Sequence, residues 1–245
     1  MNISIIFAGG VGSRMKSKKA KPKQFLEIHG KPIIIHTLEQ FEKHPKIDAI
    51  VISCVYEWIS YLENLLNEYH ITKVKALVSG GNTGQESIYN GLVEAKKLTY
   101  GNNAIVLIHD GVRPLINKNT INDNIFSVQK YGSAITSVAV KETVLVIPDK
   151  IKNAIDYIPN RANTRLARAP QSFWLNEILE AHQKARMDGI NNFIDSCTLM
   201  QYYGKKMFLV DGPEENIKIT TPDDFYMMRA LLDAKENAQI YGAEE

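Results

Sequence analysis

The sequence has few cysteines, no strong excess of one charge and no long apolar run. Its two cysteines, Cys54 and Cys197, lie far apart in apolar segments, so we expect neither a disulfide framework nor a metal knuckle. This cysteine usage is typical of a protein in a reducing compartment. The net charge is +2, too small to indicate nucleic acid or an anionic membrane as a partner. No run reaches the ~18 residues of a membrane span, and the apolar N-terminus lacks a signal peptide's basic region. These absences predict a cytoplasmic protein.

What the sequence does contain is the composition of an ordinary globular protein. Apolar residues make up 44% and charged residues 23% of the 245 residues, which excludes disorder over most of the chain. We find neither an internal repeat nor a linker-like segment, so residues 1–245 are expected to form a single domain.

Short β-branched runs alternate with longer amphipathic stretches along the first 140 residues. This alternation predicts an α/β fold with a mostly parallel sheet and helices on both faces. The capping pair Thr83 and Glu86 marks the start of one helix. The predicted strands are Ile3–Phe7, Ala49–Val55, Val74–Val78, Ala104–Ile108 and Ala134–Val140. The predicted helices are Pro32–Glu42, Glu57–Tyr69, Gln85–Lys97 and Ile121–Lys130.

The alternation breaks between Lys141 and Gln171. Within this segment, Thr143–Ile147 and Ile151–Ile158 have the pattern of an antiparallel pair, which predicts an arm protruding from the sheet. Beyond the arm we expect further elements, which are helices at Trp174–Arg186, Asp195–Tyr203 and Pro222–Glu236 and strands at Lys206–Val210 and Ile217–Ile219.

A glycine-rich segment follows the first strand. Gly9, Gly10 and Gly12 let backbone N–H groups approach phosphate oxygens, and Arg14 and Lys23 add positive charge. The segment is not a Walker loop, because Gly12 is followed by Ser-Arg and not by Lys. It is not a dinucleotide fingerprint either, since a methionine takes the third glycine position. A phosphate site is therefore favoured over a bare tight turn.

Three more polar segments fall at the ends of predicted elements, where ligands bind in open α/β sheets. Gly81 and Ser87 lie in a loop that can read a base or sugar edge, or that is simply a capped turn. Asp110 can hold a ribose hydroxyl or Mg²⁺, or it can form a structural pair with Arg113. Lys218 points away from its isoleucine neighbours if the segment is extended. Beside it, Thr220 or Thr221 can cap the last helix.

Together these four segments resemble the cytidylyltransferases that join CTP to a sugar-alcohol phosphate. Members act on 2-C-methyl-D-erythritol 4-phosphate in isoprenoid synthesis, or on D-ribitol 5-phosphate in teichoic acid and capsule synthesis. The resemblance runs from Ile3 to about Leu232, with the motifs in order and at similar spacing. It implies a Rossmann-like sheet whose β-arm, residues 141–171, embraces a second subunit in a homodimer.

The resemblance also implies roles for individual residues. A phosphate oxygen of the acceptor attacks the α-phosphorus of CTP, pyrophosphate leaves, and Mg²⁺ bridges the triphosphate. The CTP phosphates are surrounded by Ala8, Gly9, Gly10 and Gly12, and charge at the reacting phosphorus is stabilised by Arg14, Lys23 and Lys218. Gly81 and Ser87 contact the cytidine, and Asp110 contacts the ribose and the metal. The acceptor is bound by Arg113, Thr143, Arg161 and Thr220, with Thr143 and Arg161 reaching across the dimer.

Two departures from the family pattern bear on the acceptor. Ala169 and Ile194 stand where family members usually carry threonine, around the implied acceptor pocket. The stretches Ile158–Ala162 and Gly81–Gln85 look more like the ribitol-phosphate branch, so CDP-ribitol is the expected product. The expected pathway partner is a separate pentose-phosphate reductase, because the chain has no room for a fused one.

Three alternatives stay open. The first is the 2-C-methyl-D-erythritol 4-phosphate enzyme. The second is an NAD-dependent oxidoreductase, which the failed glycine fingerprint disfavours; the Tyr69 and Lys73 pair spans a predicted helix end. The third is a non-catalytic nucleotide-binding module. It would not need the cations Arg14, Lys23 and Lys218 together.

Overall fold

A computed structural model describes residues 1–9, 21–148, 151 and 153–241. Its centre is a seven-stranded sheet with strand order β5-β4-β1-β6-β8-β7-β9. Strands β1, β4, β5 and β6 are parallel neighbours, β9 is parallel to β7, and β8 runs antiparallel between β6 and β7. The strands are β1 (Asn2–Ala8), β4 (Ala49–Cys54), β5 (Val74–Ser79), β6 (Ile105–Asp110), β7 (Ser133–Ala139), β8 (Arg165–Trp174) and β9 (Leu209–Asp211). The predicted mostly parallel α/β sheet is confirmed.

Helices cover both faces of this sheet because the strand residues alternate between two apolar cores. In β1, Ile6 packs with one core and Ile5 with the other. The first core lies under α1 (Ile33–Glu42), α2 (Ile59–Glu68) and α4 (Lys118–Tyr131). The second lies under α3 (Gly84–Leu98), α5 (Leu175–Met187) and α6 (Ser196–Tyr202). None of the helices in the described residues combines the length and apolarity that would cross a bilayer.

A third, smaller core fixes the polypeptide that follows β9. Ile219 is fully buried with Val112 and Met228, beneath α7 (Pro222–Tyr241). A short antiparallel ribbon, β2 (Glu27–Ile28) and β3 (Lys31–Pro32), adds Ile28 to this core. The core therefore holds the segment before α7 against the loop after β6.

Two predictions about secondary structure were wrong. The predicted arm extended to Gln171, but β8 already begins at Arg165 and belongs to the main sheet, so the arm ends earlier. This strand has no β-branched residue and carries Pro170, and both features are unusual within a sheet. The predicted strand Ile217–Ile219 is irregular backbone, joined to the loop after β6 by one backbone hydrogen bond from Ile219 to Val112.

The arm itself is mostly extended and exposed. Its predicted antiparallel pairing is limited to one bridge, between Val146 and Tyr157. Side chains alternate along the first half of the arm, with Leu145 and Ile147 exposed and Val146 partly covered. A segment with this many exposed apolar side chains is typical of an interaction surface.

Candidate active site

The polar residues singled out by the sequence meet at the carboxyl edge of the parallel strands. Ala8 ends β1 and Asp110 ends β6, while the loop after β5 contributes Gly81 and the first turn of α3 contributes Ser87. The segment before α7 brings Lys218 to the same edge. Parallel strands end at the same edge of a sheet, and this edge is where ligands bind in open α/β folds.

Only part of the glycine-rich loop lies in the described residues, since Gly10, Gly12 and Arg14 lie outside them. At its start, the Ala8 carbonyl oxygen accepts a hydrogen bond of 2.7 Å from Nε2 of the buried Gln24. A Cβ atom at Gly9 would lie 2.7 Å from Oγ of Ser87. The beginning of the glycine-rich loop therefore packs directly against the loop after β5.

Hydrogen bonds from the first turn of α3 hold the loop after β5 in place. The Thr83 side chain caps the helix by accepting from the Glu86 amide, as predicted. The Ser87 hydroxyl donates to the Thr83 carbonyl and accepts from the Gly81 amide, both at 3.0 Å. Because a hydroxyl has a second lone pair, Ser87 keeps one acceptor position for a ligand. Gly81 has no room for a side chain, since a Cβ atom would lie 2.2 Å from the Glu86 side chain.

Asp110 is the buried negative charge of the site. Its Oδ2 accepts from Nε of Arg113 at 2.7 Å, and its Oδ1 forms an ion pair with Nζ of Lys218 at 2.5 Å. Burial alone would raise the pKa of the Asp110 carboxyl, but Arg113 and Lys218 hold it well below its usual range. Asp110 therefore stays ionised and fixes the positions of two cations.

Arg113 also connects Asp110 to segments later in the chain. Its Nη1 donates to the carbonyl oxygen of Asn216 at 2.9 Å, and the Asn216 side chain donates to the Ala169 carbonyl at 3.0 Å. Both Arg113 and Asn216 are buried. The structural pair with Asp110 is thus present, and the same guanidinium also joins the loop after β6 to the segments around residues 169 and 216. The neighbouring His109 is packed in the interior, as expected, and burial lowers its pKa to about 4.

Lys23 is linked to the cluster through the backbone of the residue that follows Lys218. It begins a short 3-10 turn that ends at Phe25, and its Nζ donates to the carbonyl oxygen of Ile219 at 2.8 Å. Lys218 is the preceding residue and points toward Asp110 while Ile219 points into the core, as the alternation predicted. The structure therefore brings Lys23, Lys218, Arg113 and Asp110 together.

Thr220 lies beside these residues at the start of α7. Its amide donates to Oδ2 of Asp224 at 2.8 Å, and the Thr221 amide donates to the same oxygen at 2.7 Å. The Thr221 hydroxyl accepts in return from the Asp224 amide. The predicted threonine cap is therefore made by Thr221, and Thr220 contributes through its backbone.

Thr143 and Arg161 lie apart from this cluster. Both are exposed on the arm, and Arg161 donates to the carbonyl oxygen of Lys141 at 3.1 Å. Within the residues that the structure describes, no hydrogen bond or ion pair joins either of them to Asp110, Arg113 or Lys218. The two positions that depart from the family pattern also differ, since Ala169 is buried near Asn216 and Ile194 is 93% exposed.

The structure adds polar residues that the motifs did not assign. Gln171 donates to Oδ2 of Asp195 and accepts from the Cys197 amide, which fixes the start of α6. Arg168 lies three residues earlier in β8, where its Nε is buried. The only sequence signal for Arg168 was a charged residue just before Ala169 and Pro170, inside a segment interpreted as part of the arm.

Asp110 is the residue best suited to a divalent metal here. No three His, Cys, Asp or Glu side chains converge anywhere in the described ranges. Mg²⁺ is commonly held by one or two carboxylates together with substrate phosphates, so a single carboxylate is compatible with it. Oδ1 of Asp110 faces Lys218, whose side chain is 39% exposed.

Comparisons with known proteins agree with this geometry. The model of the family described as "IspD: 2-C-methyl-D-erythritol 4-phosphate cytidylyltransferase" matches residues 2–234. The chain is 55% identical, over 99% of its length and 100% of the relative, to ribitol-5-phosphate cytidylyltransferase of Streptococcus agalactiae serotype III. It is 39% identical, over 95% of its length and 97% of the relative, to 2-C-methyl-D-erythritol 4-phosphate cytidylyltransferase of Clostridium acetobutylicum.

Solved structures show the same fold. The crystal structure of 4-diphosphocytidyl-2C-methyl-D-erythritol synthase from Anaerococcus prevotii superimposes with a TM-score of 0.80 at 27% identity. The match covers 95% of this chain and 96% of that one. The sheet order, including the antiparallel β8, is thus part of a fold that extends over nearly the whole chain.

Proposed function

We propose, since the chain belongs to the IspD family of cytidylyltransferases, that it transfers the cytidylyl group of CTP to D-ribitol 5-phosphate. The products are CDP-ribitol and pyrophosphate. The observation that carries this proposal is the pairing of Arg113 and Lys218 with Asp110, with Lys23 bound to the neighbouring Ile219 carbonyl, at the edge of the sheet where nucleotides bind.

The relatives support D-ribitol 5-phosphate as the acceptor. Identity is 55% to a relative named for ribitol 5-phosphate and 39% to one named for 2-C-methyl-D-erythritol 4-phosphate, with nearly full coverage of both. Ala169 adds to this, because it replaces the threonine that family members usually carry at the implied acceptor pocket. CDP-ribitol is a precursor for cell-surface polymers such as teichoic acid and capsule. The acceptor would come from a separate enzyme that reduces a pentose phosphate.

The residues of the cluster fit the demands of nucleotidyl transfer. The attacking group is a phosphate oxygen that is already anionic, so no general base is required. Catalysis then depends on positioning and on stabilising charge at the α-phosphorus. We assign that stabilisation to Lys23 and Lys218, with Arg14 as a third cation from outside the described residues. Asp110 orients Lys218 and Arg113 and is suited to the ribose hydroxyls.

The remaining contacts follow from the same arrangement. The glycine loop, with Ala8, Gly9, Gly10 and Gly12, would surround the triphosphate. Gly81 and Ser87 would contact the cytidine through the backbone and the remaining lone pair of the hydroxyl. Mg²⁺, held by Asp110 and triphosphate oxygens, would neutralise the leaving pyrophosphate. Arg113 would bind the acceptor phosphate.

The arm supports a homodimer as the active form. Its exposed apolar side chains need a partner surface, and Thr143 and Arg161 would reach an acceptor site only on a second subunit. We place the reaction in the cytoplasm, because both cysteines are free thiols and this fits a reducing compartment.

The test is pyrophosphate release with CTP and Mg²⁺ and three acceptors: D-ribitol 5-phosphate, 2-C-methyl-D-erythritol 4-phosphate and glycerol 3-phosphate. We expect the highest kcat/KM with D-ribitol 5-phosphate. A preference for 2-C-methyl-D-erythritol 4-phosphate would overturn the acceptor and keep the reaction class. CTP binding without turnover on any acceptor would contradict the assignment to this reaction.

A further inference from the structure

Arg168 is a half-buried arginine that forms no ion pair with any acid among the described residues. Its Nε is buried and has no hydrogen-bond partner within the described part of the chain. A buried N–H donor without a partner costs free energy, more so on a charged group. Burial and the nearby Arg113 both lower the pKa of Arg168, whereas Glu214 raises it. The direct ion pair of Glu214 is with Lys141 and not with Arg168.

The backbone places Arg168 at the site by interrupting the ladder of β8. On β7, Ile135 pairs with Gln171 and Ser137 pairs with Ala167, so residues 168–170 face a single residue of β7. Such a bulge aims side chains out of the regular sheet and is common next to active sites. On the other side, Gln171 pairs with Ile108. Arg168 therefore lies alongside the end of β6, where Asp110 and Arg113 begin the cluster.

Arg165, on the same strand, shows what a structural arginine looks like in this sheet. Its guanidinium donates to Oγ of Ser137 at 2.8 Å and to the carbonyl oxygen of Ser137, and it pairs with Asp211. Every one of these partners holds β8 to β7 and β9. Among the described residues Arg168 has no comparable set of partners, so holding the sheet together does not explain why a charge is placed there.

We propose that the Arg168 guanidinium binds the phosphate group of the polyol-phosphate acceptor, beside Arg113. A phosphate would supply acceptors for the unpartnered N–H and would offset the repulsion between the two guanidinium groups. Arginine is suited to this because its planar fork can donate two parallel hydrogen bonds to a phosphate. Arg113 already uses two of its five N–H donors on Asp110 and Asn216, which leaves room for a second arginine in holding the phosphate.

The charges around Arg168 favour an anion at this position. Arg113 and Lys218 are near Asp110, which supplies one negative charge for two positive ones. Arg168 adds a third positive charge beside Arg113, which Glu214 offsets in part. The CTP triphosphate accounts for part of this excess, and the acceptor phosphate accounts for the rest. The backbone next to Arg168 is held in place, because the carbonyl oxygen of the following residue, Ala169, accepts a hydrogen bond from the Asn216 side chain.

The inference rests on the proposed function, and its test uses kinetics that separate the two substrates. Arg168→Met removes the charge at similar length, and Arg168→Lys keeps the charge without the fork. We expect Arg168→Met to raise KM for the acceptor by roughly 10–100-fold, the usual range for a hydrogen bond to a charged group, and to leave KM for CTP unchanged. Arg168→Lys should show a smaller rise. Arg229→Met, at an exposed position on α7, is the matched control.

A second measurement distinguishes the acceptor phosphate from its hydroxyl groups. Glycerol 3-phosphate shares the phosphate and lacks most of the polyol, so its inhibition constant against the acceptor should rise by the same factor in Arg168→Met. A rise for the acceptor alone would overturn the proposal, since it would assign Arg168 to the hydroxyl groups. Equal rises in both KM values, or no rise in either, would overturn it as well.

Protein stability separates a binding role from a structural one. Because Arg168 has no described partner for its Nε, Arg168→Met should melt at or above the wild-type temperature. A clear drop in Tm without a selective rise in acceptor KM would contradict the proposal. If the wild type prefers another polyol phosphate in the acceptor panel, the same experiment is performed with that acceptor. In that case the proposed acceptor fails while the assignment of Arg168 is still tested.

Discussion

Asp110 shows how one buried carboxylate can organise several cations. An isolated carboxylate at this depth would be costly, and its two ion pairs offset that cost. The pairs also keep Arg113 and Lys218 in defined positions before any substrate arrives. In nucleotidyl transfer such preorganisation matters more than acid or base strength, because the attacking phosphate is already charged. The lowered pKa of Asp110 means that this charge stays constant across the physiological pH range.

Lys23 is the cation for which we expect the largest loss of catalysis. Its Nζ is held by the Ile219 carbonyl at the edge of the cluster, where it can follow charge that develops on phosphorus. Lys23→Ala should lower kcat by about 10²–10³-fold, the usual effect of removing one preorganised donor. Steady-state pyrophosphate release at saturating CTP and acceptor measures this. Lys21→Ala, which removes a neighbouring lysine paired with Glu27, is the control, and near-normal turnover of Lys23→Ala would contradict the role.

His182 makes the stability of the protein depend on pH. The residue is buried on α5, and burial, helped by Arg186, lowers its pKa to about 4. The unfolded form titrates near 6.5, so between these values the unfolded chain binds more protons and stability falls as the pH falls. His109 acts in the same direction with its pKa of about 4. Above pH 7 both histidines are neutral in both states and contribute no slope.

We therefore expect His182→Phe to flatten this pH dependence. Between pH 7 and pH 5, its free energy of unfolding should fall by on the order of 2 kcal/mol less than that of the wild type. Urea unfolding at the two pH values measures the difference. The control is His70→Asn at an exposed position with a φ of 53°, which asparagine tolerates, and it should keep the wild-type slope. An unchanged slope in His182→Phe would show that the buried imidazole does not titrate as described.

At the scale of elements, the junction of β5 and α3 depends on the absence of a side chain at Gly81. A Cβ atom there would overlap the Glu86 side chain, whose carboxylate accepts from the Asn82 amide at 2.8 Å. Gly81→Ala should displace the loop that we propose contacts the cytidine and raise KM for CTP by about tenfold, which corresponds to about 1.4 kcal/mol.

The matched variant for this prediction is Gly84→Ala, at the first residue of α3, three residues after Gly81. Nothing lies within 4 Å of a Cβ atom added at Gly84, and alanine favours the helix that begins there. CTP titration under identical conditions should give a wild-type KM for Gly84→Ala. If both variants weaken CTP binding equally, the effect comes from the number of glycines in the loop and not from the contact at Gly81.

The elements that carry the site differ in how readily sequence patterns predict them. Strands β1, β4 and β6 are short, mostly apolar runs rich in β-branched residues, so their ends and the residues after them could be located in advance. Asp110 and the capped start of α3 follow directly from that. Strand β8 could not be found this way, because its proline falls in a bulge that only its pairing with β7 reveals. Arg168 was missed for the same reason.

At the scale of the whole molecule, where the charged residues lie matters more than their sum. The chain carries a net charge of +2, yet several of its cations meet at one edge of the sheet near the buried Asp110. No composition value could indicate this, because the cations come from positions near 23, 113, 168 and 218 that only the fold brings together. The apolar residues of the arm are a second such feature, since they are exposed in one copy of the chain.

The last prediction concerns the association of two chains. If the arm holds a second subunit, Leu145→Gln with Ile147→Gln should weaken the dimer, because the two side chains are 51% and 56% exposed in one chain and need apolar cover. Sedimentation velocity should show monomer at concentrations where the wild type is dimeric. The control Met187→Gln, at a side chain that is 79% exposed on α5, should stay dimeric.

The same variant tests whether the arm contributes to the acceptor site. Because Thr143 and Arg161 lie on the arm, the monomer should also show a higher KM for the acceptor and an unchanged affinity for CTP. A monomeric variant with wild-type acceptor KM would place the entire acceptor site within one chain, and Arg113 and Arg168 would then be sufficient to hold the phosphate.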